Sequence, residues 1–300
     1  MLFLYEIKGW DSWCSIFQDI EAFRGLIEFI FHKHNLEMME IKNLKAGSNA
    51  SFLIGNKVIK IFAPKETEFD TELDYKQEIF GVKYANSLGI KSYHLDYFGE
   101  VLDKYLFRYM IYDYIDGDMV CDVIDSFNHL DKVCFVNKLN TLLNDLNKPV
   151  DFFYHYDPVL KSLTNVRWNN IPNRLREEAF LELKKVKPKN LVYCHNDITG
   201  DNTLWKNKEI YLIDFADGNI APVICEYTTI LFDLFNFDQE LISEFRKTHC
   251  LDDLFDGILM HEYGYLFLTW ITEKILKKSI DCVSLKEIKE GLNQFIFECK

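Results

Sequence analysis

The sequence predicts an α+β protein with two lobes, a small antiparallel β-rich lobe with one main helix and a larger, mainly helical lobe. The chain has 300 residues, and single cores usually stop growing near ~250–300 residues. Short alternating apolar runs are concentrated before residue 113, whereas helical apolar periodicity dominates after residue 118. We therefore expect one lobe at 1–112, a hinge at 113–117 and a second lobe at 118–300.

Composition and charge narrow the classes of partner. The chain is 48% hydrophobic and 15% aromatic, which excludes a disordered protein. A net charge of −13 disfavours nucleic acid and acidic membranes and would attract a small cationic molecule, although it also serves solubility. The eight cysteines lack metal-type spacing, and the sequence has neither a signal-peptide pattern nor a clean membrane span. These features predict a cytoplasmic protein with reduced thiols.

The first lobe is predicted from alternating strands and two helices. A helical apolar stripe covers 18–33, and Gly55-Asn56 is a strong hairpin turn. A second helix at 70–87 ends before Gly89, where a left-handed residue is expected. The strands are predicted at 37–44, 50–54, 57–62, 93–98 and 105–112.

The second lobe is predicted from apolar residues that recur at helical spacing. The exceptions are a strand at 191–194 and a hairpin around 206–215. A cleft between two such lobes is the usual place for a ligand site. The helices are predicted at about 118–147, 172–187, 226–248, 253–277 and 284–298.

The strongest motif follows the predicted strand at 191–194. His195, Asp197 and Asn202 form an H-x-D-x4-N pattern, and a later strand runs into Asp214. Phosphoryl transfer needs a carboxylate that orients the attacking hydroxyl, together with hard oxygen ligands for Mg²⁺. Asp197 can supply the first, and Asn202 with Asp214 can supply the second. The alternative is that Asp197 only caps a loop while Asp214 only ends a strand.

A lysine within an apolar strand gives a second indication. Lys60 interrupts the run Val58-Ile59-Lys60-Ile61-Phe62, and Glu78 lies on the inward face of the following helix. Because buried charges are rarely left unpaired, we expect the two side chains to pair and to direct the ammonium toward nucleotide phosphates. The alternative is that Lys60 reaches solvent at a strand edge while Glu78 is solvated.

The ordered set of motifs resembles the aminoglycoside phosphotransferase and choline kinase superfamily, the small-molecule branch of the protein-kinase-like fold. The resemblance spans about residues 40–235. It implies a protein-kinase-like bilobal fold and transfer of the γ-phosphate of ATP to a hydroxyl of a small molecule, with Mg²⁺ required and GTP as an alternative donor. The residues that carry it are Gly47-Ser48-Asn49, Lys60, Glu78, Asp113-Tyr114-Ile115, His195-Asn196-Asp197, Asn202 and Ile213-Asp214-Phe215.

The resemblance also implies a role for each matched residue. Asp197 would be the catalytic base, and Asn202 and Asp214 would be the Mg²⁺ ligands. Lys60 would contact the α and β phosphates, with Glu78 as its anchor. His195 would pack and hydrogen-bond the loop without moving protons.

The nucleotide contacts implied by the resemblance come from a loop and from the hinge. The loop lacks the G-x-G-x-x-G of protein kinases, so its amides and the side chains of Ser48 and Asn49 would bind phosphate. Adenine would bond to the Asp113 carbonyl and the Ile115 amide. No A-P-E sequence or long activation segment follows Asp214, which argues against a protein kinase.

The acceptor is expected to be a small cationic molecule, with an aminoglycoside-type antibiotic favoured over choline or ethanolamine. The segment after Asp214 is more similar to antibiotic phosphotransferases, whereas Cys194-His195-Asn196-Asp197 resembles a sequence familiar from choline kinases. Both acceptor classes therefore stay open. Two alternatives come from other functional classes. One is a nucleotide-binding module without catalysis, and the other is a protein kinase or a scaffold for another protein. Acidic candidates for the acceptor site, of which none is singled out, are Asp217, Glu226, Asp233, Glu262 and Glu273.

Overall fold

A computed structural model of the chain describes residues 1–69, 71–154 and 157–297. The chain divides into two compact units, an amino-terminal unit of 1–116 with 214–217 and a carboxy-terminal unit of 117–213 with 218–300. The predicted α+β class is confirmed, because the first unit is built on an antiparallel sheet and the second is mainly helical. The chain enters the amino-terminal unit a second time at Asp214.

The sheet of the amino-terminal unit has the strand order β1-β2-β3-β5-β4 among the residues described, and all neighbours are antiparallel. Gly55, at a positive φ of 62°, makes the predicted turn between β2 and β3. Lys60 lies in β3, in register with Ser51 on one side and Met110 on the other. The strands are β1 (Ile41–Asn43), β2 (Ala50–Ile54), β3 (Lys57–Ile61), β4 (Leu95–Leu102) and β5 (Leu106–Asp113).

Three α-helices accompany this sheet in the described residues: α1 (Gly9–Cys14), α2 (Ile20–Lys33) and α3 (Thr71–Ser87). The side chain of Asp19 accepts hydrogen bonds from the first turn of α2, which explains why that helix begins at Ile20. Gly89 has a φ of 74°, as the predicted helix end requires. The predicted start of α3 at Asp70 lies outside the described residues. Helix α1 was not predicted.

The core of the amino-terminal unit joins the first residues of the chain to the sheet. Phe3, Trp13 and Phe23 have no exposed surface and pack in one cluster with Phe52 and Phe107 of the sheet. The ring centroids of Phe3 and Phe107 are 5.0 Å apart, and those of Phe23 and Phe52 are 5.6 Å apart. The segment before β1 is therefore part of the fold that supports the sheet.

The strands of the carboxy-terminal unit form two small sheets in the part of the chain described. One pairs β7 with β10, and the other has the order β6-β8-β9. The predicted hairpin joins β8 and β9 through Asn207 and Lys208, both at positive φ, as a tight two-residue turn requires. The strands are β6 (Asp118–Met119), β7 (Leu191–Cys194), β8 (Thr203–Lys206), β9 (Glu209–Leu212) and β10 (Asn219–Pro222).

Three of the predicted helices of this unit are interrupted, two at capping residues and one at an extended residue. Asn128 and Asp238 accept backbone N–H bonds at new helix starts, so the predictions of continuous helices at 118–147 and 226–248 were wrong. The helix predicted at 253–277 is broken at His261, whose ψ of 145° is extended. The helices are α4 (Val120–Val123), α5 (His129–Leu146), α6 (Pro158–Thr164), α7 (Asn173–Leu183), α8 (Val223–Thr229), α9 (Gln239–Arg246), α10 (Leu254–Met260), α11 (Gly264–Ile271) and α12 (Leu285–Phe297).

Two helices continue as π-helical turns, at Ile230–Leu234 after α8 and at Thr272–Leu276 after α11. Single π-helical turns occur frequently at functional sites.

In the described residues, none of the helices has the length and apolarity needed to cross a membrane.

Candidate active site

The amino-terminal unit contains a buried ion-pair cluster centred on Lys60. Its ammonium nitrogen lies 2.5 Å from Oε2 of Glu78 and 2.9 Å from Oδ1 of Asp214. Lys60 is 4% exposed and Glu78 is fully buried. The two side chains thus form the pair expected from the sequence, and the alternative of a solvated Lys60 and Glu78 was wrong. The structure adds Asp214 as a second carboxylate on the same ammonium.

The charges of this cluster are coupled. Burial alone would lower the pKa of Lys60, but the carboxylates of Asp214 and Glu78 raise that pKa further than burial lowers it. Burial raises the pKa of Glu78, and Lys60 acts against that rise. The Tyr93 hydroxyl donates to Oε1 of Glu78. Lys60 is therefore a fixed cation, and Glu78 is positioned by two donors.

Asp214 occupies an unusual backbone position. It has a φ of 60°, a conformation that non-glycine residues rarely adopt. It directly follows Ile213, whose amide donates to the Asn202 carbonyl at 3.0 Å. Its side chain is 42% exposed although one oxygen accepts from Lys60. A strained, half-exposed carboxylate beside a buried lysine is a feature that structures tend to retain at functional sites.

In the carboxy-terminal unit, Asp197 and Asn202 lie in one loop between β7 and β8. The amide nitrogen of Asn202 donates to Oδ2 of Asp197 at 2.5 Å and to the Asp197 carbonyl at 3.2 Å. The Asn202 backbone N–H in turn donates to the Thr199 hydroxyl at 3.2 Å. These bonds fix the side-chain amide of Asn202 with its nitrogen toward Asp197 and its oxygen directed elsewhere.

The backbone of this loop is held by a single helical face. Glu226 accepts the N–H groups of His195 at 3.2 Å and Asn196 at 2.8 Å, and the Thr229 hydroxyl is 3.3 Å from the Asn196 carbonyl. Asp233, in the π-helical turn, accepts the Gly200 N–H at 2.9 Å. Glu226, Thr229 and Asp233 follow one another at i, i+3 and i+7, so α8 and its π-helical turn present them on one side.

Two histidines complete the set of hydrogen bonds that hold the loop. Nδ1 of His261 accepts the Tyr263 N–H at 3.1 Å, so its Nε2 carries the proton and donates to the Asn196 carbonyl at 3.2 Å. Nδ1 of His195 accepts the Asp197 N–H at 3.3 Å, and its Nε2 therefore donates to the Ile213 carbonyl at 3.2 Å. Burial lowers the pKa of His261 to about 4, which keeps it neutral. Both rings act as positioning groups.

Glu226 of α8 holds this loop in a way that the sequence did not reveal. It was an acidic candidate for the acceptor site, but it is fully buried and its carboxylate is engaged with loop amides. Burial raises the pKa of Glu226 to about 7, and the bonds from Asn196 and His195 oppose that rise. Glu262 is also committed elsewhere, with Lys161 and Arg167 each 2.9 Å away. Local sequence gave no signal for either assignment.

The loop between β1 and β2 places its two predicted phosphate-binding residues differently. Ser48 is exposed, whereas Asn49 is 6% exposed and its Oδ1 accepts the Ala63 N–H at 3.2 Å. The Ser48 carbonyl accepts the indole N–H of Trp13 at 2.9 Å. The Asn49 side chain therefore ties the loop to the residues after β3.

The predicted hinge residues follow the register of β5. Tyr114 donates its N–H to the Asn56 carbonyl at 2.9 Å. Because backbone groups alternate between the two edges of a strand, the Asp113 backbone faces the other edge, and its N–H is 3.4 Å from the His94 carbonyl. Ile115 lies two residues beyond Asp113, where β5 ends.

The donor chemistry of Asn202 and Asp214 suits a magnesium ion. Both offer hard oxygen atoms, and the bonds of Asn202 to Asp197 direct its amide oxygen away from that carboxylate. Across residues 1–69, 71–154 and 157–297, no cluster of three or more His, Cys, Asp or Glu side chains could hold a metal ion. Mg²⁺ in nucleotide sites is commonly held by one or two protein groups together with phosphates and water.

Comparison with known proteins agrees with the resemblance drawn from the sequence. Residues 156–266 match the model of the phosphotransferase enzyme family. No curated protein sequence matches the chain significantly. The family match and the kinase-like fold together indicate a small-molecule phosphotransferase.

Several solved structures share the fold across most of the chain. The amicoumacin kinase hAmiN, solved with AMP-PNP, Ca²⁺ and Ami, has a TM-score of 0.58 at 14% identity, covering 90% of this chain and 93% of its own. Wild-type aminoglycoside 2'-phosphotransferase-IIIa in its GDP complex has a TM-score of 0.57 at 17% identity, covering 90% and 96%. A choline/ethanolamine kinase family protein from Mesorhizobium loti has a TM-score of 0.51 at 14% identity, covering 84% and 85%. At these identities the likeness establishes the fold.

Proposed function

Starting from a small-molecule phosphotransferase fold, we propose that this protein transfers the γ-phosphate of ATP to a hydroxyl of a small cationic molecule in a Mg²⁺-dependent reaction. The observation that carries the proposal is the buried Lys60 ammonium, held 2.5 Å from Glu78 and 2.9 Å from Asp214. Burying a cation with its carboxylate partners costs desolvation free energy, so such a cluster adds little stability by itself. A role in binding nucleotide phosphates would explain why this chain has one.

In the proposed reaction, Lys60 donates to the α and β phosphates while Glu78 keeps its side chain in place. The Ser48–Asn49 loop contacts the phosphates, and the Asp113 carbonyl and Ile115 amide bond the adenine. Asn202 and Asp214 are the proposed ligands of Mg²⁺, which when bound would neutralise charge on the β and γ phosphates.

Asp197 is the proposed catalytic base. Its carboxylate receives the proton of the acceptor hydroxyl as that oxygen bonds to the γ-phosphorus and the bond to the leaving ADP oxygen breaks. The bond from Asn202 to Oδ2 of Asp197 holds the carboxylate in one orientation. The clamp of Glu226, Thr229 and His261 on Asn196 fixes the backbone immediately before it.

The favoured acceptor is an aminoglycoside-type antibiotic. Among the proteins that share the fold, one is named an amicoumacin kinase, and others are named aminoglycoside phosphotransferases, one of them solved with GDP and kanamycin. The net charge of −13 is suited to attracting a polycation. Choline and ethanolamine are the alternative acceptors, because a choline/ethanolamine kinase family protein shares the fold as well.

A panel assay tests the proposal. ADP release would be measured with Mg²⁺ and either ATP or GTP against aminoglycosides, hygromycin-type sugars, choline and ethanolamine. We expect at least one cationic acceptor to release ADP, to gain one phosphate by mass spectrometry, and to lose both signals with Asp197→Ala. Nucleotide binding without any phosphorylated acceptor would favour a non-catalytic module, and phosphorylation of generic proteins would favour a protein kinase.

A further inference from the structure

Helix α1 contacts the loop that is proposed to bind the nucleotide phosphates. Trp13 of α1 has no exposed surface, and its indole N–H donates to the Ser48 carbonyl at 2.9 Å. The same helix carries Trp10, whose ring centroid lies 4.5 Å from that of Phe69, shortly before α3. The first helix of the chain therefore contacts both the loop and the segment that leads to Glu78.

This bond sets the direction of one peptide group. In a trans peptide the carbonyl and the following N–H point in opposite directions, and no cis bond occurs within the described ranges. Because the Ser48 carbonyl points at Trp13, the N–H of Asn49 points away from α1. Rotating the peptide would break the bond to a fully buried indole and leave its N–H unsatisfied, which is costly.

The residue after this peptide is fixed independently. Oδ1 of Asn49 accepts the Ala63 N–H at 3.2 Å, and the side chain is 6% exposed. Ala50 then pairs with Ile61 in the sheet. The Asn49 side chain therefore cannot turn outward to a phosphate without leaving the Ala63 amide unpaired, whereas its backbone N–H has a fixed direction.

We propose that Trp13 is a positioning residue that orients the Ser48–Asn49 peptide, so that the Asn49 N–H donates to a phosphate oxygen of the bound nucleotide. This inference rests on the proposed function, since it needs a phosphate at the loop. The Asn49 side chain is then structural, and the contact to phosphate comes from the backbone.

The test separates phosphate binding from adenosine binding. Dissociation constants for ADP and adenosine would be measured by calorimetry on the full chain with Trp13→Phe, which keeps an aromatic ring and removes the N–H donor. A hydrogen bond to a charged group is worth about tenfold in affinity, so ADP should bind about tenfold more weakly while adenosine binds as before. In the kinase assay, KM for ATP should rise with little change in kcat.

Trp168 supplies a matched control. It is also buried, at 1% exposure, and its indole N–H donates to the Ser162 hydroxyl at 3.1 Å in the carboxy-terminal unit. Trp168→Phe therefore removes a comparable buried bond away from the loop, and ADP affinity should stay at the wild-type value. Equal weakening of ADP and adenosine in Trp13→Phe would show a merely structural role and overturn the inference, as would unchanged ADP affinity.

A second replacement covers the outcome in which Trp13→Phe does not fold. Benzothienylalanine at position 13 keeps the shape of the indole and lacks only its N–H donor. The same selective loss of ADP affinity is expected, and wild-type ADP affinity would overturn the inference. Because both readouts are binding constants, they stay informative even if no acceptor is ever phosphorylated, so failure of the proposed function would be seen separately.

Discussion

The Lys60 cluster and the Asp197 loop hold their candidate site residues by opposite means. Lys60 is fixed by opposite charges, with Glu78 and Asp214 within 2.9 Å of its nitrogen. The Asp197 loop is fixed through its backbone, by Glu226 and His261 on either side of Asn196. The Lys60 cluster is held by ion pairs between side chains, whereas the Asp197 loop is held by hydrogen bonds to backbone amides and carbonyls.

This difference has a consequence for mutagenesis. Removing one charge from the Lys60 cluster leaves a buried partner uncompensated, so stability and activity should fall together. Asp197 is half-buried, and the backbone of Asn196 directly before it is bound by Glu226, Thr229 and His261. Replacing Asp197 with an isosteric amide should therefore affect activity and leave stability nearly unchanged.

The largest effect is expected from Asp197→Asn. Loss of the base should lower kcat by about 10³-fold, because general-base catalysis contributes 10²–10⁴-fold, while the unfolding free energy stays close to wild type. Acceptor-dependent ADP release and urea denaturation would measure the two quantities. Asp201→Asn, an exposed aspartate in the same loop, is the matched control and should keep activity. A folded Asp197→Asn variant with wild-type kcat would remove Asp197 from catalysis.

The second effect concerns Lys60→Met. Without Lys60, Glu78 is a buried carboxylate without its cation, and we expect a loss of about 3 kcal/mol in unfolding free energy. Burial raises the pKa of Glu78. A carboxyl whose pKa is raised in the folded state contributes stability below its unfolded pKa and loses that contribution as the pH rises through its folded pKa. The destabilisation should therefore be larger at pH 8 than at pH 5, as measured by urea denaturation.

The double variant Lys60→Met/Glu78→Gln sharpens this test. Replacing the carboxylate by an amide removes the buried charge, so stability at pH 8 should recover in part while ATP turnover does not. If the single variant were as stable as wild type at both pH values, the ion pair would not contribute to the stability of the fold. Recovery of activity in the double variant would show that Lys60 has no role in phosphate binding.

The smallest effect is expected from Glu226→Gln. Burial raises the pKa of Glu226 to about 7, so its contribution to stability is present below the unfolded value near 4.5 and is lost as the pH rises through about 7. The amide does not titrate. Relative to that of wild type, the unfolding free energy of the variant should therefore rise by on the order of 2 kcal/mol between pH 5 and pH 8. A stability difference independent of pH would contradict the raised pKa.

Much of the frame could be predicted from local sequence. The hairpin at Gly55-Asn56, the helix end at Gly89 and the Lys60–Glu78 pair all depend on residues with strong positional preferences. The pair was predictable because two charges on inward faces of neighbouring elements have few other partners. The roles of Asp197, Asn202 and Asp214 were inferred from spacing and remain predictions.

The parts that escaped prediction depend on contacts between distant segments. Glu226 was counted among acidic acceptor candidates, because a sequence does not show that a carboxylate will face the amides of His195 and Asn196, some thirty positions away. Trp13 and Ser48 are 35 positions apart, and an indole in a short helix gives no local signal of its partner. Helix breaks at Asn128 and Asp238 required recognition of capping residues within apolar periodic runs.

Metal binding tests most directly whether Asn202 and Asp214 serve one metal–nucleotide complex. Mn²⁺, which is visible by electron paramagnetic resonance, would be titrated in the presence of ADP into wild type, Asn202→Ala and Asp214→Asn. We expect each variant to bind Mn²⁺ at least about tenfold more weakly than wild type when ADP is present, because each loses an oxygen ligand or its charge. Wild-type Mn²⁺ affinity in either variant would show that the two residues do not share a metal.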